Sequence, residues 1–147
     1  MEHKPLVELQ TVADLSVEPR RPMSRRERLA RWAELLERDP KRRLRPLHEI
    51  EYKGPQARRA VRAENSPLTV AYEDPVLRAE GLGSDMLGDT LDFFGLTEDQ
   101  AHFAFCSCHM GTVFEARTAA RRVRSFMPRD PQRRGRLWGA FSALFGL

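Results

Sequence analysis

The stretch "SDMLGDTLDFFGLTEDQAHFAFCSCHMGTVFEARTAARRVRSF", Ser84 to Phe126, decides the fold, because it repeats the start and stop signals of short helices. Ser84 is placed to cap a helix that carries Met86, Leu87, Leu91 and Phe94 inward and is closed by Gly95. Thr97 and Gln100 have capping-box spacing, in which two side chains satisfy backbone N–H groups that a helix start leaves free, and Thr112 with Glu115 repeats it. The last helix then sets Phe114, Ala116, Ala119, Ala120, Val123 and Phe126 on one side before Pro128 stops it. Just upstream, Asp74-Pro75 supplies an N-cap followed by proline at the first helical position, and Gly81 suits a left-handed helix end. Residues 74 to 127 therefore read as the folded heart of a mainly α, small single-domain bundle of short helices.

Toward the N-terminus, "SRRE" opens another helix, with Ser24 three residues before Glu27. Leu29, Trp32, Leu35 and Leu36 fall on one face, Glu27/Arg31 and Glu34/Arg38 are spaced to pair, and Asp39-Pro40 ends the element. Between these helical regions a short piece is expected at Leu47 to Tyr52 and a weaker helix near Gln56 to Glu64. Leu68 to Tyr72, bounded by turn residues, reads as a β-like run, so at most a short two-stranded β patch is expected. Residues 1 to 22 show no sustained period and contain Pro5, Pro19 and Pro22, which predicts a flexible arm. The domain layout is thus an arm (1–22), a helical domain (23–127), a Pro/Arg-rich linker (128–136) and an amphipathic C-terminal helix (137–147).

One domain is what 147 residues accommodate. No run approaches the roughly 20 apolar residues of a membrane span, and the N-terminus lacks the basic-then-apolar pattern of a signal peptide, so a cytoplasmic protein is expected. The basic residues are 22 Arg and 3 Lys, and this arginine bias with frequent alanine suggests a GC-rich bacterial genome. The formal charge of +4 is mild, but its distribution is uneven. Eight acids lie between residues 73 and 99, and eight arginines between 112 and 136. These segments either face each other, solubilise separate surfaces, or form a site for a polyanion.

Three features can carry function. The first is the uncharged tail "LWGAFSALFGL", in which Leu137, Trp138, Phe141, Leu144 and Phe145 approximate one helical stripe. Such a stripe packs back on its own core, docks in a groove on another protein, self-associates, or, with Arg133, Arg134 and Arg136 beside it, meets an anionic membrane surface. Partner docking is the leading expectation, and it makes the chain a non-catalytic adaptor or regulator.

The second feature is Leu96 to Phe126, which resembles the helix-turn-helix that ends bacterial sigma factors and response regulators, with "GTV" at Gly111 to Val113 opening a basic second helix. The resemblance implies nucleic acid as a partner, met by Arg117, Arg121, Arg122 and Arg124 in a major groove. Third, His102, Cys106, Cys108 and His109 gather the donor types of a zinc site or a reactive thiol into eight residues. Structural zinc sites usually join two separated ligand pairs, so this spacing is tight, and His48 contributes only if folding brings it near. Two cysteines at i and i+2 also make a poor intramolecular disulfide, because a regular backbone rarely holds their Cβ atoms within about 4 Å. Cys106 with His102 lacks an orienting third group for nucleophilic catalysis, and no glycine-rich phosphate loop or paired-carboxylate motif occurs, so no enzymatic activity is expected.

Overall fold

The structure is a computed structural model that describes residues 20–48 and 50–129. The expected tail, most of the arm and most of the linker lie outside these residues. The described chain is mainly helical, with one small two-stranded antiparallel sheet.

Helix α1, Arg25–Arg38, begins where the sequence signals it: Ser24 Oγ accepts from the Glu27 amide at 3.2 Å, and the Glu27 carboxylate accepts from the Ser24 amide at 2.8 Å. Leu29, Trp32, Ala33 and Leu36 form its buried face. Strand β1, Arg43–Leu44, follows, then a 3₁₀ turn at Ile50–Tyr52 and a one-turn helix α2, Pro55–Arg59. Helix α2 is shorter than the Gln56 to Glu64 segment expected, and Val61 just beyond it uses its carbonyl to accept from the Leu87 amide at 2.8 Å. Next come α3, Pro67–Glu73, and α4, Pro75–Ala79, the latter capped by Asp74 through the Leu77 amide. Helix α5, Leu87–Phe94, ends on Gly95 at φ 64°, a left-handed conformation that glycine adopts without a Cβ clash. Helix α6, Glu98–Phe105, has the Thr97/Gln100 capping box, and α7, Ser107–Met110, follows at once. Strand β2, Phe114–Glu115, leads into α8, Ala116–Ser125.

Three sequence expectations are corrected. Leu68 to Tyr72 is not a β run: it lies in α3, where Ser66 and Thr69 form a capping box and Pro67 occupies the first turn. Leu68 and Ala71, three residues apart, are both fully buried, so helical periodicity prevails over β propensity. Thr112 does not start the last helix. The amides of Ala116 and Arg117 donate to the Arg42 and Pro40 carbonyls at 2.8 and 3.0 Å, so a distant segment satisfies the free helix start and places Phe114 in β2. Ser84 likewise does not cap α5; it accepts from the Met86 amide and donates to Asp89, tightening the turn before the helix.

The β patch is therefore Arg43–Leu44 against Phe114–Glu115, with Leu44 opposite Phe114. The centre of the fold is also wider than residues 74–127, since α1 lies along α8 and packs on α3 and α5. Trp32 stands at the middle, stacked on Phe94 at 4.3 Å between centroids and tilted against Phe105 at 5.2 Å. Its indole N–H donates to the Pro67 carbonyl at 2.9 Å.

Among the described residues, five acids of the 73–99 segment pair with arginines earlier in the chain. Asp74 pairs with Arg31, Glu73 with Arg42, Asp85 with Arg62, Asp92 with Arg59 and Glu98 with Arg58. Arg31 thus reaches Asp74 instead of Glu27, whose carboxylate takes Arg21 and the helix cap. No helix among the described residues is long and apolar enough to cross a membrane.

Candidate metal centre at a helix corner

Cys106 is the hinge of the corner. It ends α6 and also starts α7, and its own backbone is extended, φ −77° and ψ 144°. The break has a nonlocal cause. The Leu47 amide donates to the Phe105 carbonyl at 2.8 Å, and the Ser107 amide donates to the Leu47 carbonyl at 2.9 Å, forming a parallel bridge in place of the next helical turn. Leu47 and Cys106 are both fully buried there.

This kink brings the side chains together. In a continuous helix, residues i and i+2 point about 200° apart around the axis. With one extended residue between two helices, Cys106 Sγ and Cys108 Sγ lie 3.2 Å apart. Cys106 is buried and Cys108 exposed, and neither is in a disulfide. His102, one turn back on α6, presents Nε2 at 3.4 Å from Cys108 Sγ. His109 on α7 sets its ring 5.0 Å from that of His102, nearly perpendicular to it. One donor atom from each of His102, Cys108 and His109 falls within 4.8 Å of the others.

Of the four residues named from the sequence, three form this close set. Cys106 stands behind them as a buried second sulfur. His48, next to the bridging Leu47, is exposed and is not in the set. Zinc bonds of about 2.0–2.1 Å to nitrogen and about 2.3 Å to sulfur place tetrahedral donors roughly 3.3–3.6 Å apart. The His102–Cys108 separation of 3.4 Å already matches, and closing the set needs movement of His109, an exposed side chain. Imidazole and thiolate together suit zinc-class ions, and three protein ligands leave one coordination position open.

A brace unforeseen in the sequence supports the corner. Arg122 of α8 lies with its guanidinium 3.8 Å above the Phe103 ring and donates to the Phe103 carbonyl at 3.0 Å. Phe103 in turn lies beside His109, at 5.8 Å between rings. A cleft of about 210 Å³ lined by Ile50, Arg58, Leu87, Glu98, Asp99 and His102 adjoins the same helix.

The other arginines named for nucleic acid are mostly engaged. Arg124 makes a two-pronged contact with Glu37 at 2.7 and 2.8 Å, Arg117 pairs with Glu115, and Arg121 is exposed. Gly111 to Val113 leads into β2 and does not open the basic helix, so the segment departs from a plain helix-turn-helix at its turn. Leu137, Trp138, Phe141, Leu144 and Phe145 lie outside the described residues.

No protein-family model, curated protein or solved structure matches this chain.

Proposed function

We propose that the protein binds a zinc-class divalent cation through His102, Cys108 and His109, and that it acts as a metal-responsive binding protein. The convergence of one thiol and two imidazoles within 4.8 Å supports this reading. A bound ion ties the last turn of α6 to α7. The Arg122 contacts and the Leu47 bridge then connect that corner to α8 and to the segment after β1. Occupancy changes how firmly these elements are held, which is the physical means by which a small site alters a larger surface.

Cobalt(II) titration of the full, tag-free chain tests the site. One equivalent is expected to produce thiolate-to-cobalt absorption, and saturation with zinc at about 100 times the dissociation constant adds about 2.7 kcal/mol of stability. Cys108→Ser and His109→Asn are expected to abolish the thiolate band and the zinc-induced rise in Tm, respectively. Both positions are exposed, so the metal-free variants are expected to keep wild-type stability within about 0.5 kcal/mol. Cobalt uptake that is unchanged in Cys108→Ser would overturn the assignment.

A second reading is favoured by one observation of the sequence: Leu137 to Leu147 carries no charged side chain and holds six large apolar ones. We propose that this tail docks in an apolar groove of a partner protein, with Trp138 and Phe141 as anchors. Deletion of residues 137–147 is expected to abolish co-purification of the partner while leaving the Tm unchanged. A truncated chain that retains its partner refutes the docking, and one that loses several degrees places the tail on its own core.

A further inference from the structure

The metal reading uses Cys108 and leaves Cys106 unused, although the two sulfurs are 3.2 Å apart. We infer that Cys106 and Cys108 form a peroxide-responsive dithiol that closes to an intramolecular disulfide on oxidation. Closure takes Cys108 out of the metal-binding set. This last step rests on the metal reading; the dithiol itself does not.

The two cysteines differ in the way such a reaction requires. Cys108 is exposed and meets the oxidant, whereas Cys106 is fully buried and shielded from it. Cys108 thiolate attacks one oxygen of hydrogen peroxide, the O–O bond breaks, and the sulfur becomes a sulfenic acid. The leaving hydroxide takes up the proton shed by the Cys108 thiol and departs as water. Cys106 sulfur then attacks Cys108 sulfur, the S–O bond breaks, and hydroxide leaves with the Cys106 proton as a second water. In sum, two thiols lose two electrons and two protons, and one peroxide becomes two waters.

Geometry favours the second step over further oxidation. A sulfenic acid at Cys108 forms beside a neighbouring sulfur already at 3.2 Å, whereas sulfinic acid formation needs a second peroxide from solution. The Cys106 backbone is extended and not helical, and closure brings the two Sγ atoms from 3.2 Å to about 2.05 Å.

The test treats the full chain, metal-free and zinc-loaded, with one equivalent of hydrogen peroxide. In the metal-free protein both titratable thiols are expected to disappear, the mass to fall by two hydrogens with no oxygen added, and the product to remain within one chain. Peptide mapping of the wild type is expected to find Cys106 joined to Cys108, a readout that does not depend on any variant folding. Zinc-loaded protein is expected to release one zinc to a chromogenic chelator for every two thiols lost. Cys106→Ala is expected to stop at a sulfenic acid that dimedone traps on Cys108, and Cys106→Ser provides the same measurement should alanine leave a cavity. Wild-type protein that gains oxygen on Cys108 with Cys106 still a thiol, or that links only between chains, overturns the inference. Disulfide formation in a chain that takes up no cobalt supports the dithiol and refutes the metal reading. Cobalt uptake without disulfide formation refutes the dithiol alone.

Discussion

Trp32→Ala is expected to destabilise the protein by about 3–5 kcal/mol, the range for truncating a large buried aromatic. The side chain is fully buried. It stacks on Phe94, touches Phe105 and donates its indole N–H to the Pro67 carbonyl, so it joins α1 to α5, α6 and α3 at once. Alanine removes the rings' common partner, leaves a cavity that the surrounding helices fill only in part, and strips the Pro67 carbonyl of its donor. Against a typical domain stability of about 5–15 kcal/mol, that is a large share of the total. Urea denaturation followed by circular dichroism measures it. Trp32→Phe is expected to recover much of the loss, because it restores an aromatic ring and leaves only a smaller volume change and the unmet carbonyl, worth about 1–3 kcal/mol. An alanine variant within 1 kcal/mol of wild type would show that the helices do not depend on this residue.

Breaking the Arg31–Asp74 pair is expected to be the next largest effect, about 3 kcal/mol at neutral pH for Asp74→Ala. Asp74 has 4% of its side chain exposed and accepts from Arg31 Nε at 2.6 Å and Nη2 at 2.9 Å. It also caps α4 through the Leu77 amide at 3.1 Å. Removing it strands the Arg31 guanidinium, 27% exposed, and uncaps a helix in one change. The Arg31 hydrogen bonds hold the Asp74 carboxyl below its ordinary value; burial opposes them and the Leu77 amide assists. A carboxyl whose folded-state pKa is depressed contributes stability above its unfolded value, about 3.9, and that contribution is lost as the pH falls through the folded value. Wild type and Asp74→Asn are therefore expected to differ most near neutrality and to converge on acidification below about pH 4. Glu37, held low by its hydrogen bonds with Arg124, pushes in the same direction, but it is half exposed and screened by salt. Unfolding free energies at pH 7 and pH 3 decide the matter, and a gap that stays constant between them refutes this account.

Residues such as Asp74 mark where local reading succeeds. The Asp74 cap, the capping boxes at Ser24 and Thr97, and the Gly95 stop all occur as the sequence signals them, because each is a bargain between residues within one turn. Local reading fails at Thr112 and at Arg31 for a common reason. The α8 start is satisfied by the Pro40 and Arg42 carbonyls, and Arg31 prefers a two-pronged, nearly buried carboxylate on α3's far end to an exposed Glu27 on its own helix. Neither competitor is visible within a window of ten residues. Leu68 to Tyr72 misleads differently: its β-branched and aromatic residues suggest a strand, yet the Ser66–Pro67 start and burial against α1 make it helical.

At the candidate metal centre the division is sharper. The kinds of donor at positions 102, 106, 108 and 109, and their crowding, are written in the chain. Which sulfur is buried, which is exposed, and that the two lie together are not, because these facts follow from the Leu47 bridge, made by a residue some sixty positions earlier. The Arg122 brace on Phe103 is nonlocal in the same way.

By itself, then, the sequence determined the helical class, the helix starts at Ser24, Asp74 and Thr97, the stop at Gly95, and the chemistry of the side chains at the corner, all of which depend on neighbours along the chain. The tertiary structure alone decided the β1–β2 pairing, the position of Trp32 at the centre, the ion-pair partners and the kink at Cys106. Each of these arises when backbone or charged groups left unsatisfied by local structure find their best partner across the fold, and that partner depends on how the helices pack.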